Sequence, residues 1–120
     1  MTPVDALTDE VHDVVQQYAL LQQTLTYGEL VRLIRTRKLI ANGKPLADAL
    51  TAISRREHQR KRGMLSVLVV NKALGRPSDP FFGLARDLCG VTVDTDQQKV
   101  AFFEAERDRV FKAWSLSLAR

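Results

Sequence analysis

A chain of 120 residues with 45% apolar content is sized for one domain, and its single cysteine excludes an internal disulfide. One cysteine and two histidines are too few for a structural zinc, and no apolar run approaches the roughly 20 residues that span a bilayer. The net charge of +4 is uneven: residues 1–25 hold four acids and no Lys or Arg, whereas 26–76 hold twelve Lys or Arg against Glu29, Asp48 and Glu57.

Pro3 can open a first helix, and Val4, Leu7, Val11, Val14, Val15 and Tyr18 recur at helical spacing to about residue 22. His12 falls within this acidic amphipathic segment as an exposed residue. "TYGE" places Thr26 three residues before Glu29, the spacing of a capping box, and starts a second helix that ends near Thr36. Leu30, Val31 and Ile34 form its inner side. "RTRKLIANGKP" is a connection, with "NG" as a turn and Pro45 opening a third helix over about 45–60.

"MLSVLVV" is rich in strand formers, so 65–71 reads as a strand, followed by the loop "NKALGRPSDP". Pro80 opens a short helix that stops at Gly90. Asp94 or Thr95 caps a last helix to about residue 116, with Val100, Phe103, Val110, Phe111 and Trp114 inward. The fold class is therefore mostly α with a small β-element, and 1–120 forms a single domain. Three helices followed by a strand and a basic loop is the order of a winged helix-turn-helix, here with an N-terminal helix and C-terminal helices over about 80–116. An unrelated α+β domain has the same element order and stays open.

A turn of about 100° per residue puts Leu46, Ala49, Leu50 and Ile53 on one side of the third helix. The opposite side shows Asp48, Thr51, Ala52, Arg55, Gln59 and Arg62, with His58 at its margin. Thr51, Arg55 and Gln59 suit base edges. Arg56, Arg60, Lys61 and Arg62, with Lys72 and Arg76 on the following loop, suit phosphates. Cations ending a helix also complement its dipole, and Asp48 fits either a cytosine amine or the helix N-terminus. Seven phosphate contacts from Arg55, Arg56, Arg60, Lys61, Arg62, Lys72 and Arg76 give a log–log salt slope near −6.

Glu57 lies in line with Leu50 and Ile53, where a carboxylate needs a partner, and Arg60 and Arg32 are candidates. Glu57 beside His58 also permits a small metal-independent nuclease, although neighbours on a helix point about 100° apart. Cys89 at a helix end behaves as a small buried residue, and Phe102 lies off the main stripe, where it can mark a partner surface.

With these residues placed, about 24–83 resembles the winged-helix DNA-binding domain of alkylguanine-DNA alkyltransferases and alkyltransferase-like proteins. "TLTYGELVRLI" resembles the entry to their second helix, "KPLADALTAI" their recognition helix, and "MLSVLVVNKALGRPSDPFF" their active-site strand and following loop. The chain is also similar to small uncharacterised bacterial proteins carrying "TYGEL" with "LSxLVVNK". The resemblance implies a duplex-DNA binder and carries over Tyr27 as a DNA-contacting position, which can equally be a packing residue. The family's Pro-Cys-His-Arg stretch aligns with Leu65, Ser66, Val67 and Leu68. Ser66 therefore stands at the acceptor position and Val67 at that of its activating histidine, which excludes alkyl transfer. Asp48 stands where the family inserts an arginine into the base stack.

The expectation is a non-catalytic, cytoplasmic nucleic-acid-binding protein with no cofactor, no metal and no membrane partner. The alternative is a protein-interaction module whose basic face docks an acidic partner or the acidic first helix of a second copy.

Overall fold

The structure, a computed structural model, describes residues 3–118 and the side chains of 6–115. Helix α1 (Pro3–Leu21) carries Leu7, Val11, Val15 and Ala19 at four-residue intervals, and this stripe is buried against helices α3 and α5. Val4 falls outside the described side chains. Strand β1 (Leu25–Thr26) leads directly into α2 (Tyr27–Leu33). The capping box forms as its spacing predicts: Thr26 Oγ1 accepts from the Glu29 amide at 3.1 Å, and Glu29 accepts from the Thr26 amide at 2.9 Å. Helix α2 is one turn shorter than its sequence pattern, because the chain turns extended at Ile34.

Helix α3 (Lys44–Gln59) buries Leu46, Ala49, Leu50 and Ile53 along one side, as the periodicity requires. It ends in a reversal in which Lys61 and Gly63 both take positive φ, at 62° and 87°. Gly63 is needed there twice over: a Cβ would also meet Val110 Cγ2 at 2.8 Å.

The following segment corrects the expected strand. Leu65–Leu68 is a single 3-10 turn, and only Val69–Val70 is a strand, β2. The whole run from Met64 to Val70 is buried, so its apolar character reflects burial on every side and not a long ladder. Strand β2 pairs with β1 in parallel, Leu25 against Val69 and Thr26 against Val70, which fixes the start of α2 beside the end of the 3-10 turn. The loop after β2 is a tight turn closed by an antiparallel bridge between Asn71 and Arg76. Asn71 Oδ1 accepts from the Ala73 and Leu74 amides inside it.

Helix α4 (Asp79–Cys89) stops at Gly90 in the left-handed conformation, φ 65°. Helix α5 (Asp96–Leu118) is capped by Thr95, whose Oγ1 accepts from the Gln98 amide. Its buried residues are Phe103, Glu106, Val110 and Trp114, while Val100, expected inward, is exposed. Glu106 enters this apolar stripe because its Oε2 accepts from the Met64 amide at 2.7 Å. Phe102, expected as a partner surface, packs its ring against Phe81 with centroids 6.1 Å apart. The described part is thus mostly helical with one two-stranded sheet, and none of its helices is long and apolar enough to cross a membrane.

Candidate nucleic-acid interface

Helix α3 separates two environments. On the side towards α1 and α5 lies Glu57, fully buried, with a cluster of cations around it. His12 Nε2 on α1 contacts Glu57 Oε2 at 3.0 Å, and Arg60 and Arg62 donate to the same oxygen at 3.2 and 3.1 Å. Arg62 Nε also lies 2.7 Å from Glu57 Oε1, a contact of charges that is too bent for a hydrogen bond. The Arg62 guanidinium sits 4.6 Å from the centre of the Trp114 ring on α5. A carboxylate in such a place must be paired, and this one holds α1, α3 and the turn before Gly63 together.

Two expectations are corrected here, those for His12 and Arg32. His12 is only 9% exposed, not solvated, because Glu57 gives its ring nitrogen a partner. Arg60 is one partner of Glu57, but Arg32 is not: it lies on α2, at the cleft described below. Glu57 and His58 share no hydrogen bond, since the two oxygens of Glu57 turn inward to His12, Arg60 and Arg62.

Nearer its N-terminus α3 borders a cleft of about 700 Å³. Ala47 and Thr51 form part of its wall, and Leu46 and Leu50 part of its apolar base. Tyr27 and Arg32 enter from α2, Asn71 and Lys72 from the turn after β2, and Phe81 and Leu84 from α4. Ser66 reaches it from the 3-10 turn. Its Oγ accepts from Ser54 Oγ at 2.5 Å, and its amide donates back to Ser54 Oγ at 2.9 Å. Tyr27 is half-buried and its hydroxyl accepts from the Ser78 amide at 3.0 Å, so the ring is fixed at the cleft wall. The volume and the mix of aromatic, aliphatic and hydrogen-bonding groups suit a small planar molecule. This cleft has no signature in the sequence, because its lining comes from five separate segments.

Thr51, Arg55 and Gln59 form one row along α3, four residues apart, leading away from the cleft. Arg55 and Gln59 are exposed. Among the described residues, Arg55, Lys61 and Lys72 have no carboxylate within ion-pair distance, and the ring of the half-buried His58 has no hydrogen-bond partner.

The other expected phosphate contacts are engaged within the chain. Arg60 and Arg62 face Glu57, and Arg56 meets Asp9 of α1 at 3.5 Å. Arg76 meets Asp96 at 3.2 Å, with its side chain only 16% exposed. Seven free cations on α3 and the loop thus reduce to three. Arg32, at the cleft beside Lys72, is a fourth that the sequence reading assigned to Glu57. Both lie close enough to Glu29 to help hold its carboxyl below the ordinary value, although the Thr26 backbone amide contributes most. Asp48 is exposed and joined to Lys44 at 2.8 Å, so its charge is offset by its own helix.

No protein-family model matches the chain, and no curated protein or solved structure matches it.

Proposed function

We propose that the chain binds duplex DNA without catalysing a reaction, using α3 and the adjoining cleft in the manner of a winged helix-turn-helix. The observation that carries this is the row Thr51, Arg55 and Gln59 on α3, which starts with Thr51 at the cleft that Lys72 and Arg32 also line and runs out to the exposed Arg55, which has no ion-pair partner among the described residues. Arg55 and Gln59 have the reach and donor geometry for base edges, and Lys61, Lys72 and Arg32 supply phosphate contacts. The turn at 71–76 takes the place of a wing. The cleft, bounded by the Tyr27 and Phe81 rings and by Asn71, is of a size and chemistry to receive a base that has left the stack. Ser66 is held by Ser54 at the cleft, so a binding role is favoured over a nucleophilic one.

The test is fluorescence anisotropy against labelled duplex DNA, single-stranded DNA and RNA over a series of salt concentrations. Replacing Arg55, Lys61 and Lys72 with Ala together should flatten the log–log salt slope by about 2.7, at about 0.9 per phosphate contact. A duplex with a central mismatch should bind more tightly than a matched one if the cleft takes a base. Absence of binding to all three nucleic acids would overturn the proposal and direct attention to an acidic protein partner.

A further inference from the structure

We propose that the connection at 34–43 is a second phosphate-binding element, held in position by Glu10 of α1. The inference rests on the nucleic-acid reading of α3 and extends the interface beyond it. This connection contains Arg35, Arg37 and Lys38, and no acid. Glu10 anchors it at two adjacent points: its Oε2 accepts from the Arg35 amide at 2.6 Å, and its Oε1 from the Thr36 amide at 2.9 Å.

Burial alone would raise the Glu10 carboxyl, but the Thr36 hydroxyl and the two amides outweigh it and hold it below the ordinary carboxylate value. The carboxylate is therefore engaged by the Thr36 hydroxyl and by two backbone amides. It partly offsets the Arg35 charge, while Arg37 and Lys38 are exposed and have no ion-pair partner among the described residues. At the other end of the connection, the Gly43 amide donates to the Ile40 carbonyl at 3.0 Å, and Ala41, Asn42 and Gly43 form part of the cleft wall. The same short stretch thus joins two free cations to the proposed binding cleft. A polyanion is the chemistry that fits, and a nucleic-acid backbone supplies it at regular spacing.

The experiment compares the full chain with an Arg37→Ala, Lys38→Ala variant and with Glu10→Gln on one labelled duplex across a salt series. Lys112→Ala, an exposed lysine on α5, controls for net charge. The double variant should lower affinity severalfold and flatten the slope by about 1.8, by the same rule of about 0.9 per contact. Glu10→Gln should speed hydrogen exchange at the Arg35 and Thr36 amides and shift the slope in the same direction. Lys112→Ala should leave the slope unchanged. A parent that binds, with a slope the double variant does not alter, would overturn this inference and leave the α3 proposal standing. Equal flattening by Lys112→Ala would overturn it too, since only net charge would then matter. A parent that binds no duplex removes both.

Discussion

Arginines on the two sides of α3 have the same chemistry and opposite circumstances. Towards α1 and α5, Arg60 and Arg62 close on a buried carboxylate, and Arg62 also lies over an indole ring. On the opposite side, Arg55 reaches solvent with no ion-pair partner among the described residues. The difference is set by one residue, Glu57, whose position in line with Leu50 and Ile53 draws nearby cations inward. A basic run therefore divides into a structural part and a part free for a ligand, and the divider is the acid inside it.

The largest expected effect breaks the structural side. Glu57→Ala leaves His12 and Arg62 facing an uncompensated interior and should cost about 3–5 kcal/mol, read as a fall in the urea midpoint. Arg55→Ala on the other side should change stability by no more than about 0.5 kcal/mol while weakening duplex binding. If the two substitutions proved equally destabilising, the division of α3 would not hold. Next in size is Ser54→Ala, which strips Ser66 of a hydroxyl donor and its amide of an acceptor. A loss of about 1–3 kcal/mol is expected in the same titration. Thr26→Ala removes one half of the capping box where β1 becomes α2 and should cost about 1 kcal/mol.

The helices were legible in the sequence because each carries a local signal: the four-residue stripe of α1, Thr26 with Glu29, the side of α3 marked by Leu46 and Ile53, and Gly90 after α4. The segment at 65–71 was misread because a fully buried run loses its periodicity, and Leu65–Leu68 is apolar whether it extends or coils. The partners of Glu57 were half legible. Arg60 lies three residues on along the same helix, but His12 arrives from α1, 45 residues away, and no sequence pattern encodes that approach. The same holds for Asp9 with Arg56. The charge asymmetry between the first 25 residues and the centre is partly resolved inside the chain, through Asp9 and Glu10 of α1. The cleft was invisible for the same reason, being made wholly of long-range neighbours.

The smallest expected effect concerns pH and distinguishes the acids that anchor backbone from those that pair with arginines. Glu10 and Glu29 both accept from backbone amides, and both carboxyls are held below their ordinary value of 4.5. A group whose folded value lies below its unfolded one binds fewer protons when folded. Its contribution is therefore complete above the unfolded value and declines as pH falls through the folded one. Stability should thus be flat with respect to these two groups at neutral pH and decrease with acidification below 4.5. Glu10→Gln and Glu29→Gln should each reduce the acid-side slope of the urea midpoint, because the titrating group is gone. If Glu10→Gln left that slope unchanged, the anchoring of 34–43 by Glu10 would have no energetic signature, and the placement of that connection would have to come from the Gly43 amide closing on the Ile40 carbonyl.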